Sequence, residues 1–425
     1  MKEKWRYSLA TILLWAIIAG IWGNIATEIT ARQEKGKDLN MPGSDQNGHN
    51  HPARHDMLTL FLCGDVMPGR GIDQVLPHPS DPVLYEPYVR DARDYVKLAE
   101  AASGPVSKPI DLAYIWGDAL AVLAAIKPDL HIINLETSVT TSNDYWPGKG
   151  INYRMHPQNI GCLTTANIDC CVLANNHVLD WGHGGLVETL AVLRQEGIKS
   201  VGAGENRPQA ESPAIFEIAG KGRLLVFAYG SSTSGIPADW SATRERAGVN
   251  LLPDFSDRTV LRIKREVAAV KEPGDVVLFS IHWGGNWGYA ISGTERRFAH
   301  KLIDEAGVDV LYGHSSHHVK GIEVHRGKLI LYGCGDFIND YEGIGGYEKY
   351  RDDLTLMYFL SLEPASGRLI ELRMAPMQIK RFQAMQASVR DKKWLMQLLN
   401  REGKQFGTRV QTDQDGLLNL EWQQQ

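Results

Sequence analysis

With 425 residues, 43% hydrophobic and 22% charged, the chain can bury a large core and lacks the composition of a disordered or fibrous protein. Its 45 basic and 50 acidic residues leave a net charge of -5, so there is no basic excess to neutralise a phosphate backbone, which argues against a nucleic acid partner. Five cysteines, an odd number that includes the neighbours Cys170 and Cys171, fit neither a complete disulfide framework nor a Cys-x-x-Cys metal spacing. Cys63, Cys170, Cys171 and Cys334 sit in apolar runs and read as buried thiols.

From the N-terminus, no charged residue occurs between Tyr7 and Thr27, a stretch long enough to cross a hydrocarbon layer as one helix. Ala26, Thr27 and Ala31 match a processing site poorly, so residues 1–30 are predicted as an uncleaved membrane anchor. Lys2, Lys4 and Arg6 before the span are balanced by Arg32, Lys35 and Lys37 after it. Orientation then rests on topology: a short basic tail stays inside more readily than the long domain that follows. The expected location is therefore the cell membrane, single-pass, with the main domain extracytoplasmic. Residues 31–57 carry few large apolar side chains and read as a flexible linker, in which His49, His51 and His55 fit a solvated tether better than a metal site.

Beyond Met57, short apolar runs alternate with helix-like segments. LTLFLCGD (58–65), DLHIINLE (129–136), DCCVLANNH (169–177), DVVLFSIHWG (275–284), DVLYGHSSHH (309–318) and KLILYGCGDF (328–337) are candidate buried strands. Segments 116–128, 184–197 and 294–307 have apolar residues at three- and four-residue steps, and most close at Gly or Pro. Residues 235–262 read as a loop excursion over one side of a site, 354–375 as two strands around a Gly turn, and 390–402 as a closing helix. The alternation predicts α/β layering, with a main domain over 58–380 and a helical extension over 381–425.

Each strand-like run ends in polar residues, and in such sheets ligands gather outside the carboxyl ends of the strands. The ends supply Asp65, Glu136, Asn175, Asn176, His177, His282, His314, His317 and His318. Carboxylates, an amide oxygen and imidazoles suit divalent ions such as zinc, manganese or iron, and two cations bridged by a carboxylate are the natural use of so many donors. Taken singly, each has a plain structural reading: Asp65 as a turn cap, the asparagines as turn residues, His177 and His282 as packed histidines. GHSSHH (313–318), with three histidines on a Gly-opened turn, is the strongest local signal. Arg70 and Arg154 could each hold a phosphate or a polymer carboxylate, or could pair with a local acid.

GDVMPGR (64–70), NLETSVT (134–140), ANNHVLDWG (174–182), IHWG (281–284) and GHSSHHVKGIEVHRGKLILYGCGDF (313–337) occur in that order, and residues 58–340 closely resemble the bacterial capsule synthesis proteins of the CapA, poly-γ-glutamate type. That family is itself similar to calcineurin-like metallophosphatases. The resemblance implies a four-layer β-sandwich flanked by helices, with a two-metal site. It implies Asp65 as a ligand of one ion, Glu136 as the bridging carboxylate and Asn176 as a ligand of the other. It further implies that His282, His314 and His317 complete the metal shells and that His177 is the acid that protonates a leaving oxygen. Where metallophosphatases carry Asp-x-His, this chain has Asp65, Val66 and Met67, and Asp336 stands where an asparagine is common.

Three functions follow as expectations. One is a metal-dependent hydrolase acting on a phosphoester or another acyl or glycan linkage, with Arg70 in the catalytic set and Arg154 and Trp283 at the substrate. Another is a non-catalytic subunit that handles or tethers an anionic exopolymer or its precursor beside other membrane capsule synthesis subunits. The third is a nucleotidase-like phosphatase with Trp283, Trp287 and Tyr289 as a base slot.

Overall fold

The computed structural model describes residues 56–423. The predicted anchor over 1–30 and the predicted linker as far as residue 55 lie outside them. Met57 is already buried. Among the described residues no helix is long and apolar enough to cross a membrane.

Strand β1 (Leu58–Val66) shows how the sequence pattern becomes layers. Leu58, Leu60 and Leu62 enter one apolar cluster, while Phe61 and Cys63 enter another. Alternate residues of a strand face opposite ways, and a parallel strand covered on both sides must be apolar on both. The chain continues through α1 (Arg93–Ser103) and α2 (Ala119–Ile126) to β2 (Leu130–Leu135), β3 (Cys170–Val172), α3 (Gly182–Gln195) and β4 (Lys199–Val201). The four strands run parallel in the order β1-β2-β3-β4.

A second sheet follows. The antiparallel pair β5 (Ala214–Ile218) and β6 (Gly222–Ser231) opens it, then come β7 (Leu251–Leu252), α4 (Asp257–Ala268), β8 (Val276–His282), α5 (Gly293–Ala306), β9 (Val310–His314), β10 (Ile322–His325) and β11 (Lys328–Leu331). Its order is β7-β6-β8-β9-β11-β10, with β5 on β6. The chain then returns to the first sheet. There β12 (Asp336–Ile338) pairs parallel with β1, and β13 (Leu354–Leu362), β14 (Leu369–Lys380), β15 (Gln383–Gln386), β16 (Thr408–Thr412) and β17 (Leu418–Trp422) add antiparallel strands, with α6 (Val389–Gly403) before the last two.

The inner faces of the two sheets share one core, in which Leu60, Ile132 and Leu356 meet Val226, Leu278 and Tyr312. Helix α3 covers the outer face of the first sheet through Leu186, Leu190 and Leu193, and α4 and α5 cover the second through Val260, Ile263, Phe298 and Leu302. These helical residues recur at three- and four-residue steps, which place them on one face. The layering is therefore helix, sheet, sheet, helix. Ser292 and Glu295 form a reciprocal capping box at the start of α5, and Gly307 ends it in a left-handed conformation.

Three expectations change. Residues 235–262 are not all loop: Asp257 opens α4, whose N-cap Ser256 accepts from the Thr259 amide. KLILYGCGDF is not one strand, because β11 and β12 belong to different sheets. The C-terminal extension is not only helical, since β15, β16 and β17 continue the first sheet. Cys170 and Cys171, neighbours in β3, point into opposite cores, and all five cysteines are buried free thiols.

Candidate metal centre

Strand register brings the polar ends together. In the first sheet Asp65 pairs with Asn134 of β2 and with Asp336 of β12, and in the second His282 lies beside His314. Register shifts at Asp65 in both β1 pairings release the carboxylate from the regular alternation. Gly64 permits this closeness: a Cβ there would lie 2.0 Å from the Gly335 carbonyl oxygen, while the Asp65 amide donates to that same oxygen at 2.8 Å. Ser315 takes a left-handed backbone at φ 88°, which turns the chain after His314 and aims its own amide at Asp65 Oδ2, 3.3 Å away.

At this rim Asp65, Glu136 and His282 offer donor atoms that all lie within 4.8 Å of one another, and all three are buried. His314 Nδ1 is 2.7 Å from Asp65 Oδ1. Asn134 ties the carboxylates together, donating to Asp65 Oδ1 at 2.8 Å and to Glu136 Oε2 at 3.4 Å, and accepting from Asn175 at 3.0 Å. Asn176 Oδ1 lies 3.0 Å from His282 Nε2, and Glu136 Oε1 lies 3.7 Å from the same nitrogen. An ionised carboxylate only accepts, so the His314 proton sits on Nδ1 and leaves a lone pair on Nε2. The Asn176 contact likewise leaves a lone pair on His282 Nδ1. Both of these nitrogens, His314 Nε2 and His282 Nδ1, are buried without a hydrogen-bond partner.

Electrostatics make the cluster costly as it stands. Burial raises the Asp65 pKa, but its electrostatic contact and hydrogen bond with His314, and then its contact with His282, outweigh it and hold the carboxyl below its usual range. Glu136 goes the other way: burial, and then the charge of Asp65, push it well above the usual value. Burial drives His282 down to about 3 and His177 down to about 4. Two carboxylates therefore compete for charge beside imidazoles held neutral, and a cation is the partner that removes both penalties. Carboxylate oxygens, an amide oxygen and neutral imidazole nitrogens fit a divalent ion of intermediate hardness.

His177 adjoins this pocket, with Nε2 3.8 Å from Glu136 Oε1 and Nδ1 2.6 Å from Asp180 Oδ2. Asp180 also accepts from the Tyr153 amide at 2.6 Å and pairs with Lys149 Nζ at 2.8 Å. Asp180 sits three residues after His177, a spacing visible in NHVLD; Lys149, in a Gly-flanked loop, carries no such signal. His317 stands further along the rim, with Nδ1 2.9 Å from Asp336 Oδ1 and Nε2 3.1 Å from Asn286 Nδ2. Burial lowers its pKa, but Asp336 more than compensates and raises it. Asp336 is thus the carboxylate that orients His317, and Asn339 holds its other oxygen at 2.8 Å.

Other predicted site residues are engaged elsewhere. The Arg70 guanidinium is buried, spends its donors on Asp340 (2.9 and 2.6 Å) and Glu86 (3.0 Å), and lies 3.6 Å from the Tyr95 ring centre. None of its nitrogens is left to grip a substrate. Arg154 donates to the Ser142 carbonyl (2.6 Å), Asn143 Oδ1 (2.9 Å) and the Asp81 carbonyl (3.1 Å), and stacks 3.8 Å over Trp181, which anchors the loop before it. Trp283 is packed between Phe255 and Tyr332 and donates to the Tyr332 carbonyl, so it belongs to the core and lines no slot. His318 turns away and accepts from the Gly288 amide at 3.1 Å. A cavity of about 790 Å³ lined by Thr59, Asp129, Lys221 and Arg373 opens at the amino ends of β1 and β2, the opposite rim from Asp65.

Fold and site together define a two-sheet α/β protein with a buried carboxylate, amide and imidazole cluster at the carboxyl ends of its parallel strands. The family model for the bacterial capsule synthesis protein PGA_cap matches residues 59–341, and the chain belongs to that family. It is 46% identical over 366 residues to a Mycobacterium tuberculosis (strain H37Rv) protein named a probable polyglutamine synthesis accessory protein, covering 86% of this chain and 96% of that one. The capsule biosynthesis protein CapA of Bacillus anthracis is 22% identical over 73% of this chain and 66% of its own length. The PGA biosynthesis protein CapA of Bacillus subtilis (strain 168) is 24% identical over 72% and 68%.

Proposed function

We propose that this chain is a membrane-anchored accessory protein of anionic exopolymer synthesis, of the poly-γ-glutamate class, whose rim cluster is a divalent-metal hydrolase site. The observation that carries the hydrolase reading is the convergence of Asp65, Glu136 and His282 donors within 4.8 Å, beside buried imidazole nitrogens with no other partner. The polymer class rests on the names of the relatives, and the anchor on the uncharged span from Tyr7 to Thr27.

Asp65, Glu136, Asn176, His282 and His314 would hold divalent metal, with His317 at the edge of the set. Bound there, two divalent ions would lower the pKa of a water and offset the charge of an anionic substrate. Asp180 accepts a hydrogen bond from His177 Nδ1–H, so Nε2 faces the Glu136 side as a neutral acceptor that would exchange a proton with the reacting oxygen. Burial lowers the His177 pKa to about 4, so the imidazole rests neutral and would take up a proton before returning it, as the acid, to the leaving oxygen. Lys149, ion-paired to Asp180, lies 3.0 Å from His177 Nδ1 and places a positive charge beside the incoming anion.

Metal analysis of the purified, untagged full chain tests the reading. Loss of about two equivalents of divalent metal in Asn176→Ala, relative to the unsubstituted chain and together with hydrolysis of a generic phosphodiester, supports it. A chain without metal that still restores polymer production to a deletion strain supports the second reading, a non-catalytic polymer-handling subunit. That alternative draws on Met67, a buried apolar side chain at the place where metallophosphatases put an imidazole. For the nucleotidase reading Trp283 is core, which leaves the half-buried Trp287, stacked on Tyr347, and the half-buried Tyr289 as its aromatic slot.

A further inference from the structure

We propose a second divalent-metal site, separate from the rim cluster, formed by His300, Glu323 and His325 with Asp304 beside them. His300 and Asp304 are four residues apart on α5 and share a face of that helix. Glu323 and His325 are two apart on β10 and share a face of that strand. The two faces meet in a reciprocal pattern. His300 Nε2 lies 3.0 Å from Glu323 Oε1, and His325 Nε2 lies 2.9 Å from Asp304 Oδ1. The two imidazole rings lie face to face, 3.9 Å between centres and 4° from parallel.

Ligand atoms of His300, Glu323 and His325 already lie within 4.8 Å of one another. A tetrahedral zinc ion with bonds near 2.0–2.1 Å needs its donors roughly 3.3 Å apart, a closure within reach of small side-chain rotations. Stacked imidazoles repel if both are protonated, whereas a bound cation uses both as neutral ligands. The carboxylate is prepared for the role: the Tyr332 hydroxyl donates to Glu323 Oε2 at 2.7 Å and Arg296 to Oε1 at 2.8 Å, partners of the kind that orient a ligating carboxylate. Both histidines remain partly open to solvent, which leaves an entry path. Two imidazoles and carboxylates without thiolate select zinc, nickel or copper over magnesium or calcium.

The site is independent of the centre described above. Strand β9 runs toward the rim at His314, β11 is parallel to β9, and β10 is antiparallel to β11, so His325 at the end of β10 points toward the other rim. An ion here would clamp α5 to the edge strand of the second sheet.

The test is a Co²⁺ titration of the untagged, chelator-stripped full chain, followed by visible ligand-field absorption, in an Asp65→Asn background that disables the rim cluster. One equivalent is expected to remain, and to disappear in both His300→Gln and His325→Gln. Unchanged stoichiometry in those variants overturns the proposal. Should either variant fail to fold, anomalous scattering from a zinc-soaked crystal of the unsubstituted chain decides it: a peak between His300 and His325 supports the site, and its absence beside them overturns it. Failure of the rim reading is separate, since it would appear as no loss of metal on Asp65→Asn itself.

Discussion

Asp65 and Glu136 share a pocket in which only one can readily hold charge without help. Glu136 is raised well above its usual value, first by burial and then by Asp65. A carboxyl whose folded pKa lies above the unfolded value, about 4.3, adds stability that is complete below that pH and lost as pH rises through the folded value. Chelator-stripped wild type should therefore lose stability relative to stripped Glu136→Gln as pH rises above about 4.3. Denaturant unfolding of both proteins at several pH values checks this, and a difference that does not change with pH refutes it. At His177, replacement by Gln should leave metal content nearly unchanged and lower phosphodiester turnover by about 10²- to 10⁴-fold, the usual worth of a positioned proton-transfer group. Equal loss of metal and turnover would make His177 a ligand instead.

At the scale of elements, Arg70 joins the segment after β1 to the segment after β12 through Asp340, and to Glu86 in the connection that precedes α1. Arg70→Ala leaves two buried carboxylates unpaired and should cost about 3–5 kcal/mol of stability. Metal content of the folded fraction should stay as in wild type. Unfolding curves together with metal analysis check both statements, and a stable but inactive variant would return Arg70 to the catalytic set. On the outer face of the second sheet, Leu302 of α5 is fully buried against that sheet. Leu302→Ala should cost about 2–5 kcal/mol by leaving a cavity, read by the same unfolding curves.

For the whole molecule, the rim cluster ties the two sheets together, because Asp65, Glu136 and Asn176 come from the first and His282 and His314 from the second. An ion bound there would stabilise only the folded state, by about 2.7 kcal/mol at a free concentration one hundred times Kd. Chelation should lower the melting temperature, and restored divalent metal should return it, with a smaller response in Asp65→Asn. Calorimetric scans check the pair, and identical curves with and without chelator would argue that no ion is held.

Much of this was legible in the chain itself. The continuous apolar run LTLFLC and the three- and four-residue steps of α3 and α5 are local patterns that suit a strand covered on both faces and helices covered on one, so they announce layers by themselves. Polar residues closing each apolar run pointed to one rim for the same reason. What the line of residues could not determine was which long-range partners each polar group takes. Arg70 and Trp283 stood in the same motifs as Asp65 and His282, and Arg154 in the separate segment NYRMHP (152–157), yet packing gave them to Asp340, Tyr332 and Trp181 instead. Lys149 and Asn134 entered the site only because a loop and a strand register carried them there. Hydrophobic periodicity is a property of neighbours along the chain. The pairing of a buried charge is a property of neighbours in space, and only the folded arrangement decides it.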